Sequence, residues 1–228
     1  MQSSRWNANG NTYLVTTDAL DPELVRANVG DADGLIEVFR HGDDRLEIAI
    51  WNPDGSRAEM SGNGTRIAAR WLAEQTGAPT VVVTVGPREV TATMLSGDLV
   101  EQDLGEVLVG EPEEVAGLRL VPVDVGNPHA VVEGDPAELP TIGPRLETHE
   151  RFPNRTNVQV ARRAGDGELE ARVWERGAGE TASSGSSAVA VAAAFGCEDV
   201  TVRFPGGPLV VRFEGRRAFL TGPAVRES

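Results

Sequence analysis

The chain has 228 residues, of which 40% are hydrophobic, and a formal net charge of −14. This length suits one large domain or two small ones, and the acidic charge argues against nucleic acid or an anionic membrane surface as a partner. No signal peptide is recognisable, and no apolar stretch approaches the ~20 residues that span a bilayer. Together with a single cysteine, Cys197, these features favour a cytoplasmic protein without disulfides.

Lysine is absent from the sequence, and all 21 basic residues are arginines. Pyridoxal enzymes require a lysine for the Schiff base, and the Walker phosphate-binding loop requires one as well. Both classes are therefore excluded on chemical grounds. The three histidines have no ligand spacing, so the sequence predicts no metal site.

The first half of the chain contains short strands, tight turns and one helix. Val, Ile, Phe and Trp between Gly, Asp and Asn turns are typical of strands. Apolar residues on one face predict a helix over 64–76, which Gly77 terminates. The predicted strands of this half are 13–17, 35–40, 46–52, 81–85, 89–94 and 118–125.

The second half repeats this plan after a junction predicted at 110–117, where acidic residues surround Pro112. A helix predicted over 187–195 is apolar on every side, so its own domain should enclose it. The predicted strands of this half are 130–132, 157–161, 169–175, 200–204, 209–213 and 218–221. Strands, one helix and further strands, twice over, predict a duplicated α+β architecture.

Both predicted helices begin in a Gly-led turn, 61–64 (Ser-Gly-Asn-Gly) and 184–187 (Ser-Gly-Ser-Ser). Such a turn leaves backbone N–H groups unpaired at the positive end of the helix dipole, which is a means of binding a carboxylate. The same device in each half predicts a site built from two similar halves around one small anionic molecule. Ser61 and Ser184 lead the two turns.

Six stretches, in order along essentially the whole chain, resemble diaminopimelate epimerase. Residues 52–56 and 59–66 resemble the first active-site motif of that family, and 175–181 running into Ser184 resembles the second. The other stretches that agree are 10–11, 126–129, 155–158 and 220–224. The resemblance implies a cofactor-independent, metal-free isomerase that interconverts LL- and meso-diaminopimelate, for lysine and peptidoglycan precursor synthesis, and a homodimer.

The resemblance also implies two similar domains, each a mostly antiparallel sheet wrapped around a central helix. The first domain would comprise residues 1–112, joined by the C-terminal strand 216–228, and the second would comprise 113–215. The active site would lie in the cleft between them. In this family two cysteines, one at the start of each central helix, exchange the α-proton, and a thiol suits that role because its pKa of about 8.5 falls further at a helix N-terminus.

Serine stands at both of those cysteine positions, Ser61 and Ser184. A hydroxyl is a much weaker acid than a thiol and needs a neighbouring base. By resemblance, His129 and Glu175 lie near the catalytic positions and assist, although His129 also suits a purely structural place in its turn. Both serines also suit the ordinary role of a helix N-cap.

The expected ligand is a small dicarboxylic amino acid. Arg176, paired with Glu175, is expected to hold a carboxylate bidentately, and backbone N–H groups at the two helix starts are expected to stabilise charge on the α-carbon. Taken singly, the asparagines of this set also suit turns. The expected substrate-binding residues are Asn11, Asn52, Gly62, Asn63, Asn127, Asn157, Glu175, Arg176, Gly185 and Ser186.

Three explanations fit the two serines: an engineered Cys→Ser pair, a natural serine form that still epimerises, or a protein that has moved to another reaction or to binding alone. The serine cluster at 183–187 and the isoleucine at Ile67 favour natural divergence. The alternative functions are therefore a related isomerase or racemase of another small amino or hydroxy acid, and a non-catalytic binder of a dicarboxylic amino acid.

Overall fold

The computed structural model of the chain describes residues 1–58 and 60–227. Glu59, which belongs to the first resembling motif, and Ser228 lie outside the described residues. The chain forms two compact units, Met1–Asp103 with Thr221–Ser228 and Leu104–Leu220. These boundaries fall inside two continuous strands, whereas the sequence predicted them at 112/113 and 215/216.

The elements alternate in chain order between strands and a few helices. The strands are β1 (Ser4–Ala8), β2 (Asn11–Thr16), β3 (Gly34–His41), β4 (Arg45–Trp51), β5 (Arg57–Ala58), β6 (Thr80–Val85), β7 (Arg88–Met94), β8 (Leu99–Glu106), β9 (Leu108–Val109), β10 (Glu113–Val115), β11 (Leu118–Asp124), β12 (Pro128–Glu133), β13 (Asn157–Gly165), β14 (Glu168–Glu175), β15 (Gly179–Thr181), β16 (Asp199–Phe204), β17 (Gly207–Glu214), β18 (Arg217–Pro223) and β19 (Val225–Arg226). The helices are α1 (Pro22–Asn28), α2 (Gly62–Thr76), α3 (Leu139–Glu147) and α4 (Gly185–Ala194). A short 3-10 turn, Pro136–Glu138, precedes α3.

The sheet of the first unit has the order β19-β1-β2-β3-β4-β6-β7-β8, with β5 on the same edge of β4 as β6. Two pairings are parallel, β2 with β3 and β4 with β6, and the others are antiparallel. Helix α2 contacts six of these strands. Its Ile67, Ala68 and Leu72 side chains are buried among the inward-facing residues of the sheet.

The sequence defines both ends of α2. Ser61 is the N-cap in extended conformation, and its Oγ accepts a hydrogen bond from the N–H of Gly64. Gly77 closes the helix in the left-handed region at φ 77° and returns its N–H to the carbonyl of Ala73. The predicted helix and its glycine stop are therefore confirmed, with the start two residues earlier than predicted.

The sheet of the second unit follows the same plan, with the order β11-β12-β13-β14-β16-β17. Strands β9 and β10 pair with the outer edge of β11, and β15 shares an edge of β14 with β16. The parallel pairings are again two, β12 with β13 and β14 with β16. Helix α4 is enclosed by the sheet, and its residues from Ser187 to Ala192 are buried, as its uniform apolarity predicted.

The two units are a repeat of one supersecondary plan. In each, a parallel strand pair is connected through a helix, α1 or α3, and an antiparallel strand then leads into the buried helix, α2 or α4. Ser61 and Ser184 hold the same place, as N-caps of the buried helices. Trp51 and Trp174 hold the same place near the ends of β4 and β14. The predicted α+β fold of two similar, mostly antiparallel halves is confirmed.

Most predicted strands are present, and the missed elements are short or poorly patterned. The sequence analysis missed helices α1 and α3, which are short, and α3 also contains an internal proline, Pro144. It also missed β1 and β8, whose polar residues interrupt the alternation. Cys197 is partly buried and packs at the margin of the α4 core. Within the described residues no helix is long and apolar enough to cross a membrane.

Candidate active site

The start of α2 contains a serine with a phenol as its partner. Ser61 Oγ accepts a hydrogen bond from the Gly64 N–H at 3.0 Å and lies 3.1 Å from the hydroxyl of Tyr13. A Cβ at position 64 would lie 3.0 Å from Ile50 and 3.4 Å from the Ser61 Cβ, so the glycine lets the turn pack closely. The Ser61 hydroxyl is therefore held on two sides, by the helix backbone and by Tyr13.

A polar network on the same turn fixes two of the expected substrate-binding residues. Asn63 Nδ2 donates to Asn11 Oδ1, and Asn63 Oδ1 accepts from the guanidinium of Arg66. Asn63 is buried and Asn11 is half-buried. Arg66 is fully buried, and burial lowers its pKa to about 10, an effect that the negative charge of a nearby Tyr13 phenolate would oppose. The side chain thus remains a cation at neutral pH.

Asn52 follows β4 in the tight turn that the sequence predicted. Its amide donates to Ser56 Oγ at 2.9 Å, and its backbone N–H donates to the Ser56 carbonyl. Gly55 has φ 86°, the left-handed conformation that the Asn-Pro-Asp-Gly composition indicates. Asn52 is half-buried, and its place in the repeat corresponds to that of Glu175 in the second unit, one residue after the equivalent tryptophan.

The start of α4 contains a serine with a carboxylate as its partner. Ser184 is buried and makes no side-chain cap on its helix. Its hydroxyl is instead hydrogen-bonded to Glu175, whose carboxylate also accepts from the Thr181 hydroxyl at 2.6 Å. Burial raises the pKa of Glu175, and these two hydrogen bonds only partly offset the rise. A serine beside a carboxylate with raised proton affinity is the arrangement that activates a hydroxyl.

His129 holds the place in the second unit that Tyr13 holds in the first. Each lies two residues after an asparagine and at the start of a parallel strand pairing. Its Nδ1 lies 3.0 Å from the Gln159 amide and its Nε2 lies 3.1 Å from Asn127 Oδ1. Burial lowers the pKa of His129 to about 3, so the ring is neutral at physiological pH. His129 therefore orients Asn127, and its two ring nitrogens are both occupied.

Asn157, the first residue of β13, holds Arg176 at the start of the loop that follows β14. The Asn157 side chain accepts from the Arg176 N–H at 2.9 Å and donates to the Pro128 carbonyl at 2.9 Å. Glu147, at the end of α3, supports the same loop by accepting from the Gly177 N–H at 2.8 Å. The amide of Asn157 thus has a structural role, and the Arg176 side chain is half-buried, with its Nη1 3.5 Å from the Asn154 carbonyl.

Glu147 is a structural carboxylate that the sequence analysis did not select. It accepts from the Trp174 indole at 2.7 Å and lies 3.4 Å from the Arg155 guanidinium. Burial opposes its ionisation, yet the bonds from Trp174 and Gly177 and the charge of Arg155 lower its pKa overall. Glu147 is therefore a fixed anion beneath the loop that carries Glu175 and Arg176.

The backbone N–H groups of Gly62, Asn63, Gly185 and Ser186 belong to the first turns of α2 and α4. N–H groups at these positions have no intrahelical partner and point out along the helix axis. Each buried helix thus presents donors, the positive end of its dipole and a serine hydroxyl at one point. Within the described residues, no group of three or more His, Cys, Asp or Glu side chains is arranged to hold a metal ion.

Solved structures with the same fold define the class of this architecture. A predicted epimerase from Pseudomonas aeruginosa superposes with a TM-score of 0.77 at 16% identity, covering 99% of this chain and 96% of that one. A hydroxyproline epimerase from Agrobacterium vitis with bound trans-4-hydroxy-L-proline superposes with a TM-score of 0.68 at 15% identity, covering 99% and 89%. The fold is therefore one that epimerases use.

Sequence comparisons identify the family within that class. A family model described as diaminopimelate epimerase matches residues 121–227. A diaminopimelate epimerase of Pelotomaculum thermopropionicum is 34% identical over 85% of this chain and 80% of its own length. One from Carboxydothermus hydrogenoformans is 31% identical over 98% of this chain and 96% of its own length. The chain belongs to the diaminopimelate epimerase family.

Sequence reasoning missed four residues that build these two helix starts. Tyr13 looked like an ordinary strand residue, and Arg66 like the polar side of an amphipathic helix. Glu147 and Gln159 lie in segments with no motif of their own. The glycine-asparagine pairs at 10–11 and 126–127 offered a signal, because Tyr13, two positions after the first asparagine, contacts Ser61 at the start of α2. His129, two positions after the second, contacts Gln159, which donates to Ser187 in the first turn of α4.

Proposed function

We propose that this chain is a cofactor-independent epimerase of the diaminopimelate type, with Ser61 and Ser184 in the two base positions. In this proposal it interconverts LL- and meso-diaminopimelate. One serine removes the α-proton, and the other returns a proton to the opposite face of the same carbon. The family relationship supports the epimerase class, and the arrangement of residues within each unit supports the roles of the two serines.

The observation that carries the proposal is the buried Glu175 carboxylate beside the Ser184 hydroxyl, which lowers the pKa of that carboxylate while burial raises it. A serine hydroxyl cannot act alone as a base at neutral pH, because it must first give up its own proton. The Glu175 carboxylate can take that proton while Ser184 takes the α-proton. Since burial raises the pKa of Glu175, the carboxylate holds a proton more readily than an exposed one would.

The binding residues suit a ligand with more than one anionic group. The N–H groups at each helix start and the Arg176 guanidinium are donors for carboxylates. In the proposal Asn11, Asn52, Asn127 and Asn157 orient the amino and carboxylate groups, although the side chain of each already has a protein partner. Developing charge on the α-carbon would be stabilised by the fixed backbone donors of the two helix starts. The homodimer and the placement of the site in a cleft between the halves belong to the same proposal.

The decisive experiment follows each diaminopimelate isomer in D₂O by proton NMR, with a calorimetric binding titration alongside. We expect binding, loss of the α-proton signal and appearance of the other isomer. Binding without exchange would contradict the epimerase proposal and favour a non-catalytic binder of a dicarboxylic amino acid. Absence of both binding and exchange would contradict diaminopimelate as the ligand and favour an isomerase of another small acid.

A thiol variant tests the roles of the two serines directly. The double variant Ser61→Cys with Ser184→Cys should epimerise faster, because a thiol with a pKa of about 8.5 ionises far more readily than a hydroxyl. Ser4→Cys is the matched control, since the Ser4 hydroxyl contacts only the Trp6 indole among the described residues. An unchanged rate in the double variant would contradict the placement of the two base positions.

A further inference from the structure

Ser61 and Ser184 differ in the group that can exchange a proton with them. For Ser184 this group is the carboxylate of Glu175. The equivalent residue after β4 is Asn52, whose amide donates to Ser56 and cannot act as a base. The described side chain that contacts the Ser61 hydroxyl is Tyr13, with its oxygen 3.1 Å away.

The Tyr13 ring is fixed in one position by its surroundings. The side chain is 9% exposed and packs in the core around α2. Its neighbour on the adjacent strand is Gly34, where a Cβ would lie 2.9 Å from the Tyr13 ring. The glycine therefore leaves the space that the ring occupies. Because Ser61 Oγ already accepts from the Gly64 N–H, its hydroxyl proton remains available for the Tyr13 oxygen.

Arg66 supplies the charge that this contact needs. Its guanidinium is fully buried, and its hydrogen-bond partners among the described residues are neutral: Asn9, Asn63, Gln102 and the Pro223 carbonyl. A buried cation without a carboxylate partner is costly in free energy. Arg66 also lies close enough to Tyr13 for negative charge on the phenol oxygen to stabilise the guanidinium. A phenolate at Tyr13 would complete this ion pair.

We propose that Tyr13 is the proton-relay residue for Ser61, with Arg66 as the counter-ion of its phenolate. This inference rests on the proposed function. In the removal step the α-C–H bond breaks and its electron pair stays on the α-carbon. The α-proton passes to Ser61 Oγ while the Ser61 proton passes to the Tyr13 phenolate. In the return step the Ser61 proton forms the new C–H bond with the electron pair on the α-carbon. The Tyr13 hydroxyl gives its proton to Ser61 and becomes a phenolate.

The test starts separately from LL- and meso-diaminopimelate in D₂O and compares the unmodified chain with Tyr13→Phe. Net epimerisation should fall at least about tenfold in both directions, because one step of each direction passes through Ser61. Exchange of the α-proton should persist from the one isomer that Ser184 deprotonates. Thr16→Val is the matched control: it removes a buried hydroxyl from the same strand, one that bonds the Gln2 carbonyl.

A merely structural role for Tyr13 would reduce exchange from both isomers equally, and that result would overturn the proposal. Unchanged epimerisation in Tyr13→Phe would overturn it as well. If the unmodified chain exchanges neither isomer while a thermal melt shows it folded, the proposed function fails, and the relay in this reaction fails with it. Retained activity in the unmodified chain with symmetric loss in the variant identifies failure of the relay alone.

A spectroscopic measurement examines the relay without any substrate. Tyr13 is the only tyrosine of the chain, so the ultraviolet absorbance of phenolate reports this one residue. The midpoint of phenolate formation should rise in Arg66→Met relative to the unmodified chain and should stay closer to it in Arg66→Lys, which keeps the charge. The same midpoint in all three proteins would overturn the role of Arg66 as counter-ion.

Discussion

The two buried helices begin at equivalent places in a repeated fold, yet their serines have different partners. At the start of α2, Ser61 caps the helix and contacts the phenol of Tyr13 beside the buried cation of Arg66. At the start of α4, Ser184 leaves its helix uncapped and bonds the carboxylate of Glu175. One helix start thus combines a phenol with the buried guanidinium of Arg66, and the other has a carboxylate.

This difference shows how a duplicated fold can place different chemical groups at equivalent positions of its two units. The repeat fixes where each serine lies, because the same strand and turn lead into each helix. The neighbouring residues decide the chemistry: Tyr13 and Asn52 in one unit correspond to His129 and Glu175 in the other. Among the described residues, only the second unit places a carboxylate against its serine, so the two serines should respond differently to the same kind of substitution.

The largest expected effect is on catalysis, from removing the carboxylate of Glu175, the proposed base for Ser184. Glu175→Gln keeps the size of the side chain and its acceptor oxygen but cannot take the Ser184 proton. Loss of a general base typically lowers a rate by about 10²–10⁴-fold, so exchange of the isomer that Ser184 deprotonates should fall by that order. Proton NMR in D₂O measures it.

Glu180→Gln is the matched control, because Glu180 lies in the same hairpin but its exposed carboxylate pairs with Arg172. It should leave exchange unchanged. If Glu175→Gln and Tyr13→Phe slowed exchange from the same isomer, the two serines would not have separate partners, and the comparison would be wrong.

A second difference lies in how the loops beside the two helices are held. In the second unit the largely buried Glu147 accepts from Trp174 and from the Gly177 N–H. In Glu147→Gln these charged hydrogen bonds are lost, and the free energy of unfolding should fall by about 1.5 kcal/mol. Asp54→Asn is the matched change in the first unit, where the exposed carboxylate of Asp54 accepts hydrogen bonds from the local Ser56.

Denaturant unfolding measures both variants. We expect the smaller loss from Asp54→Asn, because its hydrogen bonds are exposed to water. Equal losses of unfolding free energy would mean that the Glu147 contacts stabilise the chain no more than the hydrogen bonds of a solvent-exposed turn. The loop that contains Arg176 would then not depend on Glu147 for its position.

Much of this fold could be predicted because its repeat is visible in local patterns. The Gly-led turns, the glycine stop at Gly77 and the uniformly apolar α4 are strong signals that depend only on neighbouring residues. The helices α1 and α3 gave no such signal, since α1 has only seven residues and Pro144 interrupts the helical pattern of α3. The limits of the two units could not be predicted because they fall within continuous strands, where composition does not change.

The candidate site was predictable only in part. Motif resemblance identified Ser61, Ser184 and Glu175, and the structure adds which of them are in contact. The Tyr13 contact could not be predicted, because it joins residues 48 positions apart across a sheet and a helix. Glu147 could not be predicted either, since its role depends on a loop that comes 30 residues later.

A smaller effect concerns the stability of the two helix starts. Ser61→Ala removes an N-cap, because Ser61 Oγ accepts from the Gly64 N–H, and such a loss costs about 1 kcal/mol of unfolding free energy. Ser61→Asn should recover most of it, since asparagine caps as well as serine. Ser184→Ala removes no cap. Thermal unfolding checks the set, and an Asn variant as unstable as the Ala variant would contradict the capping role of Ser61.

The subtlest expected effect is the pH dependence of stability in the second unit. Burial raises the pKa of Glu175 above its ordinary value of 4.5, so its folded form binds a proton at a pH where the unfolded chain has lost it. Rising pH therefore lowers the free energy of unfolding of the unmodified chain through this interval, and the decline ends once Glu175 is ionised in the folded state.

Glu175→Gln removes that decline, so its stability relative to the unmodified chain should increase as pH rises from 4.5. Ser184→Ala should shift the decline to higher pH, because the Ser184 hydroxyl stabilises the carboxylate. Chemical unfolding at a series of pH values measures all three proteins, with Ser61→Ala as the control that should leave the pH profile unaltered. A profile that shifts equally in the two alanine variants would show that the carboxylate does not distinguish the two helix starts.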